Sequence, residues 1–265
     1  KDIDGNGSFD AMIFCYSKAE DQSRKQFPMH TRDDMISQVL GIRKKFPTYK
    51  AFGAATIDDI WSEEDKKGAT ILNATDMNSS IMINKGGGNF EVKALPTAAQ
   101  AAPGYGMSAI DVDQDGNLDL LMVGNDYGME PFTGRHDAMF GLYLKGDGKG
   151  RFIKESINKS GFYVPGDGKA FAQLHSAKGY NLLVASQNQD SLKIFKPNKK
   201  QIKTQWIKLQ PEDFFVESTI NGKVMKTELY YGSTFLSQST RMFAIDEKAS
   251  AINIYNFDGK KRRIK

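Results

Sequence analysis

The 265-residue chain has one cysteine, three histidines and no apolar run near the ~20 residues that cross a bilayer as a helix. A single thiol excludes an internal disulfide. Cys15 has no histidine near it in the pattern, so it reads as a buried structural thiol rather than a nucleophile. His30, His136 and His175 stand apart, without H-E-x-x-H or Cys/His spacing, which excludes the usual zinc constellations. Arg135-His136-Asp137 reads as a polar surface turn. Nucleophile-elbow, P-loop and dinucleotide fingerprints are also missing. Net charge is small, +4, and part of the surplus is the terminal run Lys260–Lys265. That run reads as a solvated end, and no nucleic-acid partner is expected.

Glycine, by contrast, is plentiful at 25 residues, beside 40% apolar content. This suits a hairpin-dense β chain with material for a core. Most informative is Asp111-Val-Asp-Gln-Asp-Gly-Asn-Leu-Asp119, followed by the apolar run Leu120–Val123. Carboxylates stand at positions 1, 3, 5 and 9. Four this close repel one another unless a cation sits among them. Asp111, Asp113, Asp115 and Asp119 are hard oxygen donors suited to Ca²⁺, with the carbonyl of Asn117 as backbone ligand and Gly116 for the turn. An EF-hand begins the same way but needs Glu at position 12 and flanking helices. Position 12 here is Met122, and Gly104–Ile110 reads as an entering strand. A solvated acidic turn is the plainer alternative.

The pattern recurs at Asp2-Ile-Asp-Gly-Asn-Gly-Ser-Phe-Asp10. Asp2, Asp4, Asn6 and Asp10 take positions 1, 3, 5 and 9, Ser8 the carbonyl position, and the apolar run 11–14 follows as a strand. Two glycine hairpins also match, Ile81–Phe90 and Leu142–Phe152. Phe90 and Phe152 lie 62 residues apart, and the two loops 109 apart. Asp10 to Phe90 spans 80 residues against 33 from Asp119 to Phe152, a surplus of 47 whose removal leaves the same period of 62. Most of the surplus reads as a helical insertion over about 29–68. Thr31 caps a helix carrying Met35, Ile36, Val39 and Leu40, and Thr56 caps a second within 55–64 with Ile57, Ile60 and Trp61 on one face. It reads as a decoration packed on its own sheet or as a partner-binding lid. A third unit, Gly179–Asn188 and Ser191–Phe195, echoes the second. Its turn, Leu174–Lys178, lacks carboxylates, so two metal sites are expected.

These residues resemble the FG-GAP/VCBS repeat family, whose blades carry a D-x-D-x-[DN]-G-x-x-D calcium loop. The resemblance implies an all-β, integrin-α-like β-propeller over residues 1–205, and the roughly three units imply its C-terminal part. With a loop motif at its first residues, the chain is expected to begin inside a longer protein, where a secretory or lipoprotein signal would not be visible. Residues 206–265 read as a separate β module. Phe215–Tyr231 forms two strands around Asn221-Gly222, then comes Gly232-Ser-Thr-Phe-Leu-Ser-Gln-Ser239, then the strand Ala251–Tyr255 and the turn Asp258-Gly259. The Tyr231–Ser239 segment is similar to the ASPIC/UnbV-type module. Trp206–Asp213 is either a blade-completing strand or the join. Together the resemblances imply a calcium-stabilised scaffold at a bacterial cell surface, with a protein or glycan partner and tethering through a lipoprotein signal. The alternative is a polysaccharide lyase or hydrolase-like enzyme on the same scaffold, with Trp61, Tyr127, Phe132 and Tyr163 stacking on sugars.

Overall fold

The computed structural model describes residues 1–113, 115–131, 133–196, 205–220, 222–246 and 248–265. Strands account for 40% and helices for 13%, and every strand pair is antiparallel among the described residues. Two compact units divide the chain at Asp76 and Met77.

The first unit, Lys1–Asp76, contains the hairpin β1 (Phe14–Lys18) and β2 (Arg24–Pro28) and five short helices. They are α1 (Arg32–Gln38), α2 (Ile42–Lys45), α3 (Tyr49–Gly53), α4 (Ile57–Ile60) and α5 (Glu63–Lys66). Thr31, Thr56 and Ser62 each close a capping box with an aspartate three residues on, which satisfies orphan N–H groups at the start of α1, α4 and α5. Met35, Ile36, Val39, Ile42, Phe46, Phe52, Ile60 and Trp61 build a private core, with Ile3, Met12 and Phe14 packed on it. The expected single helix over 55–64 is broken at Trp61, whose extended backbone makes room for the Ser62 cap. Two further departures concern apolar side chains. Leu40 is exposed, because α1 ends at Gln38 and the helical spacing that would bury it ends there too. Cys15 is exposed rather than buried, since β1 begins only at Phe14 and lies in a two-stranded sheet.

The second unit, Met77–Lys265, is organised around the sheet β5 (Gly104–Ile110), β6 (Asp119–Gly124), β7 (Leu142–Gly146) and β8 (Phe152–Lys154) in that spatial order. Preceding it is the hairpin β3 (Ser80–Gly86) and β4 (Asn89–Ala94); after it come the turn α6 (Ile157–Ser160) and the sheet β9 (Gly168–His175), β10 (Asn181–Gln187), β11 (Asp190–Phe195). Alternation along β6 and β7 decides what each face meets. Leu121, Val123 and Tyr143 pack with Phe171, Leu183 and Ala185 of the β9–β11 sheet. Met122, Leu142 and Leu144 face Leu95, Ala99 and Ala102, with Ile81 of β3 beside them. The central sheet is therefore covered on both sides, each buried aliphatic side chain contributing about 1.5–3 kcal/mol.

The remainder forms β12 (Gln205–Lys208), β13 (Asp213–Ile220), β14 (Lys223–Glu228), β15 (Met242–Ile245), β16 (Ala249–Asn256) and β17 (Lys261–Arg263). β12 pairs with β15, so Trp206–Lys208 joins the C-terminal strands. The expected Asn221-Gly222 hairpin joins β13 to β14 in the register Ile220↔Lys223; Asn221 itself lies outside the described residues. The expected join at 205–206 abuts residues 197–204, also outside them. The basic end is not simply solvated. β17 pairs with β16, and Arg262 Nη2 lies 2.6 Å from the buried carboxylate of Asp213. That contact satisfies a charge that would be costly alone.

Candidate metal loops

Strands flank loop 111–119 on both sides, β5 before and β6 after, and position 12 is the buried Met122. The backbone of the loop is wound around its own carboxylates. Asp115 N–H donates to Asp111 Oδ1 and Asp113 Oδ1 at 3.1 and 3.2 Å, and Gly116 N–H to Asp111 Oδ2 at 2.9 Å. Asn117 N–H reaches Asp115 Oδ1 at 2.9 Å, and Val112 N–H reaches Asp119 Oδ2 at 3.0 Å. Gly116 sits at φ +91°, a conformation that L side chains rarely adopt.

Loop 2–10 repeats this network bond for bond. Asn6 N–H donates to Asp2 Oδ1 and Asp4 Oδ1, both at 3.2 Å, and Gly7 N–H to Asp2 Oδ2 at 2.9 Å. Ser8 N–H reaches Asn6 Oδ1 at 2.8 Å, and Ile3 N–H reaches Asp10 Oδ2 at 2.7 Å. The same positions donate to the same oxygens although five of the nine residues differ. In consequence, oxygens of Asp111, Asp113 and Asp115 lie within 4.8 Å of one another, as do those of Asp2, Asp4 and Asp10. Clustered hard anions are a fit for a hard divalent cation of the calcium type.

Position 9 does more than the spacing suggested. Asp119 is fully buried. Its Oδ2 also accepts the hydroxyl of Tyr143 at 3.0 Å, and its Oδ1 accepts Gly146 N–H at 2.9 Å. Asp119 thus rivets the loop to β7 as well as closing it. Burial and this bond together push the Tyr143 hydroxyl well above the usual phenol range. The approach is close enough that a Cβ on Gly146 would lie 2.1 Å from the Leu118 carbonyl oxygen, so the strand must carry glycine there.

Lys145, two residues along the same face of β7, was not singled out from the sequence. Its ammonium pairs with Asp113 and with Asp115, the latter at 2.9 Å. These two contacts hold Lys145 above its ordinary pKa, and the Lys145 contact leads those that hold Asp115 below the usual carboxylate range. Only its position two residues from Tyr143 on a strand could have hinted at it.

The aromatic side chains offered as sugar platforms are engaged locally. Trp61 is buried in the first unit's core, Tyr127 lies under the Arg135 guanidinium at 4.8 Å, and Tyr163 stacks on Phe140 at 6.4 Å. Phe132 lies outside the described residues. Arg135 and Asp137 are exposed as expected, but His136 is half-buried and pairs its backbone with Asp126 in an isolated antiparallel bridge rather than forming a turn. The turn joining β9 to β10 is closed by Ser176 N–H to Tyr180 O at 2.9 Å. No protein-family model matches the chain, and no curated protein matches its sequence.

Proposed function

We propose that the chain is a non-enzymatic, calcium-stabilised scaffold of FG-GAP/VCBS type, whose sheets are blades of a β-propeller presenting loops to a protein or glycan partner at a bacterial cell surface. The observation that carries this reading is the single hydrogen-bond network shared by loops 2–10 and 111–119. Two nine-residue stretches with five differing residues converge on it, each gathering three carboxylates that repel unless a cation joins them. Support for blades comes from the β5–β8 sheet, which is covered on both faces as a radially stacked sheet is. An ion bound only by the folded loop stabilises the fold by mass action. Sites of the extracellular kind, with Kd about 10⁻⁴–10⁻³ M, suit a calcium-rich exterior. Calcium is expected to raise the melting temperature and EDTA to lower it, with most of that difference lost in Asp113→Ala combined with Asp4→Ala. Identical melting curves with calcium and with EDTA in the wild type would rule the reading out.

A further inference from the structure

The two loops differ at position 5, where Asn6 stands in one and Asp115 in the other. The additional carboxylate comes with an additional cation. Lys145 reaches in from β7, and its ammonium faces Oδ2 of Asp113 and Oδ2 of Asp115. Oδ1 of each accepts a backbone N–H, from Asp115 and Asn117 respectively. The ammonium thus meets one oxygen of each carboxylate while a backbone N–H of the loop meets the other. Among the described residues, no lysine or arginine lies within 4.0 Å of the carboxylates of Asp2, Asp4 or Asp10.

We propose that Lys145 is a tethered counter-cation that lowers the calcium affinity of loop 111–119. The inference rests on reading both loops as calcium sites. A calcium ion sits about 2.3–2.6 Å from its oxygens, so it cannot share those of Asp113 and Asp115 with an ammonium already on them. Positive charges that close repel strongly in a partly buried setting. Calcium therefore enters loop 111–119 only as Lys145 swings away, and the broken ion pair is subtracted from the affinity. Among the described residues, loop 2–10 has no lysine or arginine paired with its carboxylates. Without calcium the lysine supplies part of the missing positive charge, so loop 111–119 keeps its form more readily than its counterpart. Lys145 has about a third of its side chain exposed, which leaves it a path outward.

Calorimetric calcium titration of the full chain tests this, using Asp4→Ala as background so that loop 111–119 is read alone. Lys145→Met keeps the apolar stem and removes the charge. It is expected to tighten calcium binding roughly three- to tenfold, the range set by a partly exposed ion pair. Lys145→Arg, which keeps the charge, is expected to stay within about twofold of the Lys145 value, a gap smaller than one exposed pair is worth. Lys145→Gln reads the same quantity should methionine disturb the fold. Unchanged or weaker binding in Lys145→Met and Lys145→Gln, with calcium still taken up, overturns the role of Lys145 and leaves the calcium sites standing. No uptake by any variant, the wild type included, overturns the calcium reading and this proposal with it.

Discussion

Among single residues, Asp119 shows how one side chain serves both loop and sheet. Three donors converge on it: Val112 N–H, Gly146 N–H and the Tyr143 hydroxyl. Asp119→Ala strands all three in a buried place. The expected cost is about 3 kcal/mol or more, read by denaturant melting in EDTA so that no metal contributes. A loss near zero there would mean that the three hydrogen bonds to Asp119 do not stabilise the fold. The clustering of carboxylates was legible in the sequence because it is local, nine residues with fixed spacing. The rivet was not, since Tyr143 and Gly146 reach Asp119 only through the pairing of β6 with β7. Lys145 was hidden for the same reason.

Secondary-structure elements were legible where a local signal decides them. Thr31 and Thr56 cap α1 and α4 as their spacing implied, and the run 120–123 is the buried strand β6. Where a competing cap or a weak neighbour intervenes, the pattern misleads. Ser62 opens a helix of its own, and β1, left in a two-stranded sheet, exposes Cys15. The three capping boxes also carry a pH signature. Hydrogen bonds from Thr31, Thr56 and Ser62 hold Asp34, Asp59 and Asp65 below their ordinary 3.8. A depressed folded pKa contributes stability that is present above the ordinary value and is lost as pH falls through the folded one. Far-UV circular dichroism of the chain is therefore expected to lose helical signal on acidification below about pH 4. Replacing all three aspartates with asparagine should remove much of that acid limb. An acid limb unchanged in the triple variant would place the titration elsewhere.

Taken as a whole, the molecule is β-rich and built of antiparallel sheets, the coarse class that the sequence implies. The third unit runs strand, turn, strand, strand in the order β9–β10–β11, as the second begins with β5–β6–β7, and Phe171 packs between the two sheets. What the spacing could not supply was the contact between sheets, which depends on side chains more than forty positions apart, such as Val123 and Phe171. The proposal for the molecule reduces to oxygen donors gathered between strands around a divalent ion, once in each compact unit. Long-wavelength anomalous scattering from crystals grown with calcium measures this directly. The account predicts two peaks per chain, one within loop 2–10 beside Asp2 and Asp4 and one within loop 111–119 beside Asp111 and Asp113. A map with neither peak, at calcium concentrations well above millimolar, would contradict it.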